Sequence, residues 1–367
     1  MQDTAAATTN WGDIGDWDVS GVKDFSYAFS TSRTQAGGDT TSVTSNVNAA
    51  KFVGTAISKW NTVSATSLED TFYKASEMNA NLSGWNVAKV KTFLRTFFGA
   101  NKFTGTGLSL WVTAFATNLD STFQSAGEMN SDLSNWNVML VTRLDRTFKD
   151  ASKFVGTGLS LWITTWLVSL ESTFEGAAKM NADLSGWNVA NVKELESTFN
   201  GAITFTGAGL DSWNTISANT LSYTFYKAAG MNADLSKWEV GKVTSLVCTF
   251  AGASKFVGTG LSVWITTSLE SLDQTFDGAA KMNADLSGWD VSNAANPKIN
   301  RQTMFEGATS LSSCNKRRIA DKWDCLPDSP GVCDMLEYAS DWASEKCLVR
   351  LNALSRLRTV SSILYLH

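Results

Sequence analysis

The sequence predicts an α/β repeat solenoid of about eleven stacked coils, each a short parallel strand joined to a short helix or 3₁₀ turn, closed by a cysteine-rich C-terminal cap. Three regularities predict it. Tryptophans stand at Trp17, Trp60, Trp85, Trp111, Trp136, Trp162, Trp187, Trp213, Trp238, Trp264 and Trp289, and from Trp60 onward the steps alternate between 25 and 26 residues. A phenylalanine follows twelve residues later in ten coils: Phe29, Phe72, Phe97, Phe123, Phe148, Phe174, Phe199, Phe225, Phe250 and Phe276, with Phe305 closing the last coil. Three residues beyond most of these comes an alanine, from Ala75 to Ala308, where a small side chain lets neighbouring coils approach. A fixed period of this length marks units that bury their apolar face only against one another.

The elements follow in order. Residues 1–16 read as a leader or N-terminal cap and 17–310 as the array. Residues 311–347 read as a disulfide-bearing cap and 348–367 as an amphipathic tail. Coils alternate between two types, giving a true period of 51 residues: Met-Asn-Ala-Asp-Leu-Ser-Gly-Trp-Asn-Val at Met180 to Val189, and Lys-Phe-Val-Gly-Thr-Gly-Leu-Ser-x-Trp at Lys153 to Trp162. Leu-Ser-x-Trp-Asn-Val, short and preceded by turn formers, predicts a strand. Val192 to Ala202 carries apolar residues at i, i+3, i+7 and i+10, a helical period. The predicted internal columns include Trp85, Trp111, Trp136, Trp162, Trp187, Trp213, Trp238 and Trp264, and Phe97, Phe123, Phe148, Phe174, Phe199, Phe225 and Phe250. At the parallel-strand spacing of ~4.8 Å, such a stack is roughly 50 Å long with one concave face. Two interruptions break the period: a loop at about residues 30–46, rich in Ser, Thr and Gly, and four extra residues around Pro297.

Composition narrows function. Apolar residues make up 43% of the 367 and charged residues 18%, enough for a core and too apolar for a disordered chain. The single histidine, His367, ends the chain, so histidine-dependent triads and metal sites lack their central residue, and no catalytic, metal or cofactor site is expected. A net charge of −5 offers no positive field for nucleic acid. No apolar run reaches the 18 residues of a membrane span, and Met1 to Trp11 does not read as a signal peptide. Of five cysteines, Cys314, Cys325, Cys333 and Cys347 cluster near the C-terminus, a density that suits two disulfides in an oxidising compartment and lacks the close Cys-x-x-Cys pairs of zinc modules. Cys248 occupies a variable slot and reads as a partly exposed free thiol.

Several repeated polar positions invite functional readings. Asp132, Asp183, Asp234 and Asp285, with Asn81 in the same slot, resemble a calcium ladder but supply too few oxygens per ion, so turn capping fits them better. Asn79, Asn130, Asn181, Asn232 and Asn283 read as a buried ladder satisfying loop backbone. The threonines before the phenylalanines, from Thr71 to Thr303, invite an ice-binding reading, but they sit singly in the expected helical portion, and internal hydrogen bonding to a neighbouring coil fits them better. Gly105 to Gly107, Gly156 to Gly158 and Gly258 to Gly260 lack a Walker lysine and read as turns. Asn81-Leu82-Ser83 is a glycosylation sequon. The tail, with Leu351, Leu354, Leu357 and Val360 at threefold spacing among Arg350, Arg356 and Arg358, reads as a helix that caps the array or touches a membrane surface.

The phrase Asn-Ala-Asp-Leu-Ser-Gly-Trp-Asp-Val-Ser at Asn283 to Ser292, with Val-Thr-x-Leu-x-x-Thr-Phe-x-x-Ala elsewhere, resembles the 25-residue repeat of BspA-like leucine-rich-repeat surface proteins, found in mycoplasma lipoproteins, other bacteria and protists. The likeness covers about residues 17–310, departing in the 25/26 alternation and in Phe for Met in alternate coils. It implies a leucine-rich-repeat fold and an extracellular or cell-surface protein used for adhesion or protein recognition. On that reading Lys91, Arg95, Arg143, Arg146, Lys193 and Glu194, which vary between coils, form the ligand face for an unknown protein or glycan. A self-assembling scaffold or wall element is the competing class.

Overall fold

The computed structural model describes residues 9–33, 46–292 and 304–323. The repeat reading holds in its periodicity, because the chain winds through successive coils joined to one another by backbone hydrogen bonds. Phe97 N–H donates to Thr122 C=O, Phe123 to Thr147, Phe148 to Thr173 and Phe199 to Thr224, each at 2.9 Å. The expected α/β architecture, by contrast, is wrong. Among the described residues no strand forms, only isolated parallel bridges one residue wide, running from Asp24 through Ser67 and Thr92 to Asn118 and from Arg143 through Ser169, Glu194, Thr220 and Ser245 to Ser271. Among the described residues no coil contains an α-helix.

The reason lies in the alternation of backbone partners. Across the segment expected to be helical, Ser197, Phe199 and Gly201 donate to Ser222, Thr224 and Tyr226 of the next coil. Thr198, Asn200 and Ala202 donate instead to the carbonyl three residues back. Consecutive i→i+3 turns place apolar side chains at nearly the spacing of a helix, yet every second amide is pulled into the neighbouring coil. The chain passes through positive φ at Ser197 and Gly201, which no α-helix tolerates. The expected strand at Leu-Ser-x-Trp is likewise replaced. In one coil type it is a 3₁₀ turn, Leu108–Leu110, Leu159–Leu161, Leu210–Ser212 or Leu261–Val263, entered through a glycine in the left-handed region. In the other type it is a simple turn.

Inside, the expected columns are present. All eight tryptophans and all seven phenylalanines assigned to the core are buried. Phenylalanines stack almost parallel, Phe97 on Phe123 at 5.5 Å and 2°, Phe199 on Phe225 at 5.6 Å and 2°. The tryptophans stack in pairs that follow the 51-residue period, Trp111 on Trp136 at 6.0 Å and Trp162 on Trp187 at 6.0 Å. Each indole N–H crosses to the preceding coil: Trp136 donates to Leu108 C=O at 3.1 Å and Trp187 to Leu159 C=O at 2.8 Å. Burying these rings supplies the apolar drive, and their polar edges are satisfied as a buried indole requires.

The polar columns also bind coil to coil. Thr147 Oγ1 donates to Leu119 C=O of the previous coil at 3.0 Å and to Leu144 C=O at 2.8 Å. Thr71, Thr96, Thr122, Thr173, Thr198, Thr224, Thr249 and Thr275 are equally buried, so these columns face inward and present no water-ordering surface. Thr303 lies outside the described residues. A second threonine set, such as Thr113 and Thr164, accepts from the amide and donates to the carbonyl of the coil that follows, at Asn137 and Asn188.

The ends differ. Residues Ser30 to Arg33 and Asn46 flank the inserted loop, and Asn46 N–H donates to Thr31 C=O at 2.7 Å, so the insertion leaves and rejoins its coil at one point. At the other end a helix, Ser313–Lys322, is N-capped by Ser312 and buries Ile319 and Ala320 against the last coil. Trp323 follows it, packing on Phe305 at 6.4 Å. Pro297, Cys325, Cys333, Cys347 and the expected amphipathic tail lie outside the described residues.

Candidate recognition surface

The six residues expected to form a ligand face do fall on one strip. Counted back from the coil's phenylalanine, Lys91 and Lys193 stand six residues before it, Arg143 and Glu194 five before, and Arg95 and Arg146 two before. The position five before is the bridge column, with Arg143 paired to Ser169 and Glu194 paired to both Ser169 and Thr220. These residues occupy three coils separated each time by one other, a span of roughly 20 Å at ~4.8 Å per coil.

The position two before the phenylalanine is left-handed in every coil described, yet none of its occupants is glycine. Tyr27, Asp70, Arg95, Ser121, Arg146, Ser172, Ser197, Tyr223, Cys248 and Gln274 all have φ between 51° and 60°. Their backbone is held by bonds on both sides. The Arg95 N–H donates to Asp120 C=O at 3.0 Å, and the Phe98 N–H to Arg95 C=O at 3.1 Å. The hydrogen-bonded ladder, rather than side-chain preference, therefore imposes the conformation, and the side chain is free to vary.

Ion pairs thread the strip. Arg95 donates through Nε and Nη2 to the two carboxylate oxygens of buried Asp70 at 2.9 and 2.6 Å, and Glu69 lies 3.9 Å away. Arg143 pairs with Asp145, which also accepts from Ser169 Oγ at 2.5 Å, and Arg146 pairs with Glu171 of the next coil. Asp120 sits among them with its Oδ1 buried and without a hydrogen-bond partner. Burial and then the neighbouring Asp145 carboxylate raise its pKa from 3.8 to about 6, against the pull of Arg143 and Arg146. Around Arg95 the strip is aromatic: Tyr73 stacks on Phe98 at 4.8 Å, and Arg95 and Lys74 lie over the Tyr73 ring at 5.8 and 5.1 Å.

Sequence reasoning missed the acidic half of the strip. Glu69, Asp120, Asp145, Glu171, Glu196 and Asp273 share the position three before the phenylalanine, a column visible once the coils are superposed in register. Other expectations resolve individually. Asp132, Asp183, Asp234, Asp285 and Asn81 each accept from the amide two residues on at 2.8 to 3.0 Å, the turn-capping role. Asn79, Asn130, Asn181 and Asn232 do hold the next coil, as Asn181 Oδ1 does with Thr206 N–H at 3.0 Å, but they are exposed rather than buried. Gly107 and Gly158 are structural, their positive φ opening onto backbone of the preceding coil. Cys248 is a free thiol but buried, donating to Gln274 Oε1 at 3.3 Å, and burial pushes its pKa up.

The fold and surface define a coil-stack repeat protein with a periodic apolar interior and positions that vary from coil to coil along one strip. A family model described as "Mycoplasma protein of unknown function, DUF285" matches the chain five times, at residues 1–126, 38–162, 117–238, 142–264 and 221–326. The chain belongs to that family of repeat proteins. No curated protein matches it. No helix among the described residues is long and apolar enough to cross a membrane.

Proposed function

We propose that the chain is a non-catalytic recognition or adhesion module working outside the cell or at its surface, and that it engages a protein or glycan partner through the strip from Tyr27 to Glu194. The observation that carries this reading is the concentration of Arg, Lys and Tyr on a rigid ladder: Arg95, Tyr73, Phe98 and Lys74 form one cluster, and Arg143 and Arg146 a second. Tyrosine and arginine dominate binding hot spots because they bring large contact area and directed hydrogen bonds at low entropic cost. Arg146 and Glu171 are both partly exposed, and their pair contributes about 0–1 kcal/mol to folding, whereas Arg95 and Arg143 also neutralise buried Asp70 and Asp145. The resemblance to BspA-like surface proteins supports the same reading, without the leucine-rich-repeat strand it implied. A disulfide-bearing cap in an oxidising compartment belongs to the proposal, on the clustering of Cys314, Cys325, Cys333 and Cys347 near the C-terminus.

Binding of the labelled chain to intact cells and to a glycan array tests the reading. The variants Arg95→Ala with Tyr73→Ala, and Arg143→Ala with Arg146→Ala, should lose saturable binding at least ~10-fold; because Arg95 and Arg143 neutralise buried Asp70 and Asp145, binding is read where far-ultraviolet dichroism shows each variant folded. Saturable binding that both variants retain sinks the assignment of this strip. End-to-end self-assembly without any saturable partner favours the scaffold reading instead.

A further inference from the structure

We infer that the stack carries a second, separate interface, an apolar face that pairs with the same face of a second copy of this chain. It lies outside the tryptophan column. In the coil of Trp111, Leu110, Val112 and Phe115 are exposed, and in the coil of Trp162, Leu161, Ile163 and Trp166. Between them the coil of Trp136 exposes Met139 and Leu140. Each coil contributes these side chains from one six-residue stretch around its tryptophan, and the three coils are consecutive.

Three properties single out this face and its occupant. Its exposures, between 43% and 65%, amount to about 800 Å² of apolar surface, more than a monomer's largest patch commonly carries and close to one partner's share of a standard interface. It is free of charge: Leu108 to Thr117, Leu133 to Thr142 and Leu159 to Ser169 contain no Asp, Glu, Lys or Arg, whereas Lys89 stands in the coil before and Asp211 in the second coil after. A surface without cations gives an anionic membrane nothing to hold, while a neutral face lets two copies of a chain of net charge −5 approach.

The third property is symmetry. The two large apolar triplets flank the Trp136 coil evenly, one coil to either side. A twofold axis lying in the face along that coil sets Leu110 opposite Leu161, Val112 opposite Ile163 and Phe115 opposite Trp166 of the second copy, and sets Leu140 against its own counterpart. Self-complementarity of this kind is what a closed twofold dimer requires.

Sedimentation velocity of the full chain from about 1 to about 100 μM tests this, with Ile163→Glu/Trp166→Glu as the disrupting variant and Ile265→Glu, on an exposed site of a distant coil, as the control. Wild type and the control should sediment at twice 39.7 kDa. The disrupting variant should be monomeric, its dissociation constant raised at least ~100-fold with far-ultraviolet dichroism unchanged. Leu140→Cys should crosslink to itself under mild oxidation, and Ile265→Cys should not. A wild type monomeric throughout the range overturns the inference, as does a dimer that survives Ile163→Glu/Trp166→Glu. Monomeric binding to neutral phosphatidylcholine vesicles through this face also overturns it.

Discussion

Asp120→Asn isolates the electrostatics of the charged strip. The Asp120 carboxyl is raised from 3.8 to about 6 by burial and by Asp145, so its charged form is less welcome in the folded chain than in the unfolded one, where the pKa is near 3.9. A raised acid favours folding while protonated: that contribution is complete below about pH 4 and is lost as pH climbs through about 6. About two units at 1.36 kcal/mol each set a ceiling of about 3 kcal/mol, and partial solvent access reduces this to about 1–2 kcal/mol. Asparagine keeps the shape and cannot ionise. The variant should therefore match the wild type near pH 4 and exceed it by about 1–2 kcal/mol at pH 7.5, with the gain developing between pH 4 and 6. Urea unfolding followed by tryptophan emission at five pH values reads the difference curve, in which the other carboxylates cancel. A gain independent of pH, or a loss at pH 7.5, would refute the burial argument.

Two further outcomes test the stack itself. Thr147→Val removes a hydroxyl that bonds two buried carbonyls at 3.0 and 2.8 Å; it should lower stability by about 1–2 kcal/mol in urea unfolding, with Thr147→Ser recovering part of the loss. Gly158→Ala places a Cβ 2.3 Å from the Ser134 amide nitrogen at φ +93° and should cost at least about 2–3 kcal/mol. Gly21→Ala, with nothing within 4 Å of the added carbon, should stay within about 0.5 kcal/mol of wild type, so equal effects at the two sites would contradict the close-approach reading.

What was legible in the sequence was whatever repeats through packing. Tryptophan and phenylalanine spacing revealed the stack and its core columns because burial constrains residue type directly. The Asp-x-Ser turns were legible for a similar reason, since Asp183 can bond only its own neighbourhood. Secondary-structure type was not legible. Successive i→i+3 turns at Leu195 to Ala202 imitate a helical period, and the intercoil bonds of Phe199 and Gly201 that rule out a helix leave no mark on residue identity. The left-handed column was hidden likewise, because Arg95, Tyr223 and Gln274 occupy positions where glycine is ordinarily the signal. Lys91, Arg95, Arg143, Arg146, Lys193 and Glu194 share three repeat positions because variability between coils is what singled them out. Their acidic partners were missed because Asp70 and Asp145 contact residues of other coils or their own loop, not sequence neighbours that a motif would reveal.

The alternation of coil types sets a rule for how the array changes length. Gly107 lies so close to the preceding coil that its absent Cβ would meet the Ser83 amide at 2.2 Å, and Thr113 both donates to and accepts from the backbone of the coil that follows, at Asn137. Each coil type is thus shaped to its unlike neighbour on both sides. Deleting 25 or 26 residues would set like against like, whereas removing 51 restores the alternation of coil types. The unit of length is therefore the two-coil cassette, and a shortened or lengthened array keeps its close approaches only when whole pairs of coils are removed or added.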